Sequence, residues 1–290
     1  MKTIIQVWTQ ECANVQTGKG NFYWGFGDMI RSTIFLHQFC LKNGYHFIVD
    51  HQLHPVTEFL AHLEHPFSAL IRENKNNILH VPRGKVIPFI ESSKEDVIFL
   101  FATEFCLEKI SQDTKAFMKS ILTPNAAMNN LIDSYHRKLP QGYRVMHCRL
   151  GDSSIDADLD SVEIQRYLKI IYRHADKNCF LVTDSHVLKS KVGMNDQVNV
   201  FELKIGHLGY CKDKSIVQDT LVEFFLITRA STIKTYTVYP WISSFVYWIS
   251  KVYDIPLQSV FGGSLKLFFF RMFWNVQSKL HLRSISSKLR

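Results

Sequence analysis

At 290 residues the chain has room for two domains of ordinary size. Apolar residues make up 46% and charged residues 21%, enough apolar material for a sizeable core, which excludes a disordered chain. The net charge of +8 is unevenly placed. Ile255 to Arg290 contains no Asp or Glu but carries Lys266, Arg271, Lys279, Arg283, Lys288 and Arg290, so the rest of the chain is close to neutral. A generally basic, nucleic-acid-coating surface is therefore not expected.

The chain opens on a strand-like segment, Lys2 to Trp8. A loop rich in glycine follows, Gly18 to Asp28, and then a helix in which Met29, Ile30, Phe35, Leu36, Phe39 and Cys40 recur at helical spacing. Lys42-Asn43-Gly44 supplies its stop, and a second strand is expected from Tyr45 to Asp50. Strand, glycine loop, helix and strand make a βαβ unit whose helix N-terminus aims free amides at whatever fills the loop. The glycines lack the full spacing of a dinucleotide-binding fingerprint. Residues 51–95 read as short helices and loops, Val97 to Phe101 as a buried strand, and 107–122 and 125–138 as helices. Pro140-Gln141-Gly142 is the expected domain boundary.

Beyond that turn the pattern alternates cleanly. Strands are expected at 143–148, 179–183, 198–203 and 232–239. Helices are expected around 161–174, after Asp184, around 215–229 and around 241–252. Strands alternating with helices imply a parallel sheet covered on both faces, a Rossmann-like domain. The expected organisation is an N-terminal α/β domain over 1–139, a C-terminal Rossmann-like domain over 140–262, and a basic aromatic helix or tail over 263–290.

Six cysteines, Cys12, Cys40, Cys106, Cys148, Cys179 and Cys211, form no C-x-x-C pair, and several sit inside apolar patterns. Reduced thiols are expected, without a disulfide frame or a zinc site. With no leader-like segment and no apolar run of membrane-spanning length, a cytoplasmic location is expected.

The stretch that carries chemistry is His147-Cys148-Arg149-Leu150-Gly151-Asp152, where a strand runs into a sharp glycine turn. In α/β domains ligands bind at the carboxyl ends of strands. An Arg there presents a planar, permanently charged fork suited to gripping a phosphate at two oxygens. The plain alternative is a local pair between Arg149 and Asp152, with His147 in the core.

This segment resembles the H-x-R-x-G-D motif of the fucosyltransferase superfamily, which spans α-1,2-, α-1,6- and protein O-fucosyltransferases. Phe180-Leu181-Val182-Thr183-Asp184 is similar to the family's second motif, and Ser243-Ser244-Phe245 after a strand to its third. Gly25-Phe26-Gly27-Asp28 followed by Arg31 resembles the family's N-terminal glycine loop. The resemblance implies a GT-B architecture, two Rossmann-like domains with the donor in the cleft between them. It also implies a GDP-sugar donor, fucose by the family pattern, with no metal, transferred to a glycan hydroxyl with inversion. It makes Arg149 the holder of the donor β-phosphate and the stabiliser of the leaving diphosphate. By the same resemblance His147 and Asp184 contact the nucleoside, Ser243, Ser244 and Phe245 line the phosphate and base pocket, and Gly25 and Gly27 approach the diphosphate. Asp152 completes the motif. Asp28 departs from the pattern, standing where relatives usually have Asn.

Three questions stay open on the sequence. Asp156-Ala157-Asp158 is a D-x-D that could hold a divalent metal for a UDP-sugar, although carboxylates ahead of a helix are commonly dipole partners. A scaffold that binds a nucleotide or glycan without catalysis is the other alternative. Glu11, Asp28 and Glu104 are all candidates for the general base, and spacing does not choose between them. The tail from Ser264 mixes Phe and Trp with cations, so it either covers the body or lies on a membrane surface as a peripheral contact.

Overall fold

The structure, a computed structural model, describes residues 1–14, 24–61, 64–104, 109–151, 161–209, 211–239 and 241–260. Asp152, the D-x-D at Asp156 and Asp158, Cys106 and the tail from residue 261 lie outside the described residues.

The first half runs β1 (Thr3–Thr9), β2 (Ala13–Asn14), α1 (Phe26–Asn43), β3 (His46–Leu53), α2 (Ser68–Glu73), β4 (Leu79–Val81), α3 (Val86–Ser92), β5 (Val97–Ala102), α4 (Gln112–Ile121) and α5 (Ala126–His136). Short 3-10 turns at Pro55–Glu58 and Lys75–Asn77 fall within it. The second half runs β6 (Arg144–Arg149), α6 (Ser161–His174), β7 (Cys179–Thr183), α7 (His186–Gly193), β8 (Asn199–Val200), α8 (Lys214–Thr228), β9 (Thr232–Thr237), α9 (Ser244–Tyr253) and β10 (Leu257–Ser259). The Pro140-Gln141-Gly142 turn stands between α5 and β6, with Gly142 at φ 67° in the left-handed region that favours glycine.

The strands form two five-stranded sheets, ordered β2-β4-β5-β1-β3 and β10-β9-β6-β7-β8. Every pairing within them, among the described residues, is parallel. Central strands of such sheets are covered on both faces and therefore read as unbroken apolar runs. In β1, Ile4, Ile5, Val7 and Trp8 are all fully buried. The shortest strands are another matter. β2, β4 and β10 are two or three residues long and escape the sequence reading, and β8 covers Asn199–Val200 where 198–203 was expected.

Local chemistry fixes the helix ends. Ser111, Asn125, Ser185 and Asp213 precede α4, α5, α7 and α8, and each side chain accepts a backbone N–H of the first turn. Gly44 closes α1 at φ 64°, its N–H returning to the carbonyl of Cys40.

A single apolar cluster joins the two sheets. It includes Ile4, Trp8, Phe26, Met29 and Phe101 from the first half and Val145, Phe180, Val182, Phe224 and Trp248 from the second. A second cluster lies on the other face of the second sheet, with Met146, Cys148, Leu181, Tyr167 and Ile171. The alternation along β6 thus sends Val145 toward the shared core and Met146 and Cys148 outward.

In each sheet the first strand has its later neighbours on both sides, so connections leave in opposite directions between β1 and β5 and between β6 and β9. These are the switch points where open α/β sheets form a crevice. The two carboxyl ends meet. Gln10, just beyond β1, donates its Nε2–H to the carbonyls of Leu208 and Cys211, both at 2.9 Å, in the loop after β8. The N-terminal turn of α1, which follows β1 and β2, packs on the N-terminal turn of α9, which follows β9.

Candidate active site

Arg149 ends β6, and its side chain is 24% exposed. Its Nη1 lies 3.2 Å from Oδ2 of Asp184, which stands just past the end of the neighbouring β7. Asp184 is buried, and both its oxygens accept backbone amides: Leu150 N–H on Oδ1 and Gly151 N–H on Oδ2, each at 2.7 Å. Burial raises the Asp184 carboxyl above its ordinary value, while Arg149 and the two amides pull the other way. With three donors converging on it, the group acts as a carboxylate. Its partners lie within the protein, and it shapes the turn that aims Arg149.

His147, one pleat back on the same face of β6, is buried, and its Nδ1 hydrogen-bonds Thr235 Oγ1 at 2.9 Å on β9. Burial, and then the charge of Arg149, push its pKa down to about 3, so the ring is neutral. This is the core setting that the plain reading of His147 expected. Gly151 sits at φ 108°, and the Tyr239 hydroxyl would stand 2.6 Å from any Cβ placed there. Glycine is needed for both reasons.

The first-sheet residues divide. Gly27 is required by packing: a Cβ there would lie 2.5 Å from Phe245 N and 2.7 Å from Ser244 C. Gly25 is the N-cap of α1 and faces His207. Asp28 forms an i,i+3 ion pair with Arg31 at 3.2 Å, so its charge is partly met inside α1. Arg31 is buried; its Nη2 reaches the Thr103 carbonyl at 3.5 Å, just beyond β5. Burial pulls the Arg31 pKa down, opposed by Asp28 and Glu104. Glu104, also buried, accepts the Gly84 N–H at 2.6 Å. His80 on β4 hydrogen-bonds Thr103 Oγ1 at 2.9 Å, and its ring lies 5.2 Å from that of Trp24.

Ser243 is the N-cap of α9 without a side-chain cap bond, and Ser244 opens the helix. Phe245 is partly buried against the shared core, its ring 5.9 Å from Phe224. Of the base candidates, Glu11 is an exposed partner of Lys212 at 3.1 Å. Asp28 and Glu104 share the Arg31 cluster. The structure therefore gathers Arg149, Gly151, Asp184 and His147 at one switch point and Asp28, Arg31 and Glu104 at the other. Thr235, Tyr239, Trp241, His80 and Thr103 were not singled out by the sequence, and no local pattern marks them.

No protein-family model and no curated protein matches the sequence. Solved structures do resemble the fold. The crystal structure of NodZ α-1,6-fucosyltransferase soaked with GDP-fucose matches with a TM-score of 0.52 at 12% identity, over 87% of this chain and 92% of that one. The same enzyme co-crystallised with GDP matches with a TM-score of 0.50 at 12% identity, over 86% and 91%. The selenomethionine form of NodZ from Bradyrhizobium matches with a TM-score of 0.50 at 12% identity, over 86% and 91%. At this identity the likeness is one of fold: two parallel-sheet α/β halves in the GT-B arrangement of these fucosyltransferases.

Proposed function

We propose that the chain is a metal-independent glycosyltransferase that moves a sugar, fucose, from a GDP-sugar to a glycan hydroxyl with inversion. The observation that carries this is Arg149, paired with the buried Asp184 at the switch point of the second sheet, whose carboxyl end is tied to that of the first through Gln10. The fold likeness to an enzyme crystallised with GDP and soaked with GDP-fucose supports the choice of donor.

In this reading residues 1–139 carry the acceptor side, 140–262 the donor side, and 263–290 a basic aromatic tail. As the acceptor oxygen bonds to the anomeric carbon, the bond from that carbon to the β-phosphate oxygen breaks. Negative charge then grows on the departing diphosphate. A fixed guanidinium placed to meet that charge lowers the barrier without needing a cation, because its orientation is set before reaction. Asp184 and the glycine turn provide that orientation. The acceptor proton passes to a carboxylate of the first half, Asp28 or Glu104, both beside Arg31. Among the described residues no helix is long and apolar enough to cross a membrane.

The test is release of GDP from GDP-fucose by the purified protein in EDTA, without acceptor and then with a panel of oligosaccharides. The reading predicts slow release that an acceptor accelerates. No release, or release only from UDP-sugars with Mn added, contradicts it.

A further inference from the structure

Among the described residues, Trp241 is one of the few large apolar side chains left exposed, at 46%. Its ring lies parallel to that of Tyr239, with 5.3 Å between centroids and 2° between planes. Tyr239 is held in place: its N–H donates to Thr237 Oγ1 at 3.1 Å, and its hydroxyl lies beside Gly151. The preceding residue, Val238, donates its N–H to the carbonyl of Arg149 at 3.1 Å. The aromatic pair therefore stands on the β9 side of Arg149. Asp184 stands on the opposite, β7 side.

An exposed indole stacked on a fixed second ring matches one chemical class well. The π-face is the negative part of the ring. A pyranose whose substituents are equatorial shows bare C–H bonds on its faces, and these carry the complementary partial positive charge. Its hydroxyls then point sideways, toward water. A guanine would also stack, but reading a base takes placed polar partners around its edge in an enclosed pocket, and a rim this exposed is poorly suited to that. We propose that Trp241, backed by Tyr239, forms a sugar-binding platform that seats a pyranose ring of the acceptor glycan beside Arg149. Its role as an acceptor contact rests on the transferase reading, to whose acceptor side over 1–139 it adds one contact from the donor half, whereas glycan binding itself does not.

The experiment is saturation-transfer NMR on the full chain with cellotetraose, whose ring substituents are all equatorial, with and without GDP. GDP affinity is measured in parallel on the wild type, Trp241→Ala and Trp241→Phe. The platform predicts saturation of cellotetraose C–H protons by the wild type. Binding should be about tenfold weaker in Trp241→Ala and largely kept in Trp241→Phe, with GDP affinity unchanged in both. Equal cellotetraose binding by wild type and Trp241→Ala overturns the proposal, as does its absence in the wild type. A selective loss of GDP affinity in Trp241→Ala also overturns it and assigns the ring to the base. A wild type that binds cellotetraose through Trp241 but does not bind GDP keeps the platform and removes the transferase reading.

Discussion

Arg149 and Asp184 end adjacent parallel strands, and their side chains meet as an ion pair at 3.2 Å. The same carboxylate holds the Leu150 and Gly151 amides, so one residue on β7 sets the turn that follows β6. Asp184 is thus a positioning residue for Arg149.

Replacing it separates geometry from charge. Asp184→Ala leaves two amides and a guanidinium without their acceptor and is expected to cost about 2–4 kcal/mol of stability. Asp184→Asn keeps one acceptor oxygen but turns an NH2 toward a donor. It should stay folded and bind GDP about tenfold or more weakly, measured by calorimetry. Unchanged GDP affinity in Asp184→Asn would show that Arg149 needs no such support.

Gly27 lets α1 and α9 touch backbone to backbone. A methyl there meets main-chain atoms, which cannot rotate away as a side-chain tip can. Gly27→Ala is expected to destabilise by about 1–3 kcal/mol through overpacking, read as a lowered Tm. An unchanged Tm would mean that the two helices separate at little cost.

Three buried histidines make the fold acid-sensitive. Desolvation pushes His54 and His147 down to about 3 and His80 down to about 4, from an ordinary value of 6.5. Below pH 6.5 the unfolded chain binds protons that the folded chain does not, so stability falls as pH falls toward those values. Glu223, which burial pushes up to about 7, acts in the opposite direction between its ordinary 4.5 and 7. Removing one histidine isolates its share. Urea unfolding of His80→Gln should show a pH slope shallower than wild type, by at most about 1.4 kcal/mol per pH unit and most clearly near pH 5. Parallel slopes would place the proton uptake elsewhere.

Much of the second half was legible because its signals are local. The apolar run of β6, the glycine turn after it and the helical spacing of 161–174 are all contained within short windows, and Arg149 falls at the end of one of them. Asp184 and His147 were named there, but the pairings within the site were not legible. Leu150 and Asp184 are 34 residues apart, and His147 and Thr235 are 88 apart. In a parallel sheet such neighbours are set by strand order, which no local pattern encodes. Gly27 illustrates the same limit: its loop resembles a ligand loop, yet the contact that demands glycine comes from α9, more than 200 residues later. The Arg31 cluster was visible in pieces, Arg31 with the glycine loop and Asp28 and Glu104 as base candidates, but nothing local joined them.

The central claim is that Arg149 is the cation for a GDP-linked diphosphate. Calorimetric titration of GDP in EDTA into the wild type, Arg149→Ala and Arg149→Lys tests it most directly. The account predicts GDP binding by the wild type and a loss of about a hundredfold in Arg149→Ala, the scale of a charge-assisted bidentate contact. Arg149→Lys should recover part of it, because the charge remains but the fork does not. Equal GDP affinity in wild type and Arg149→Ala would contradict the account.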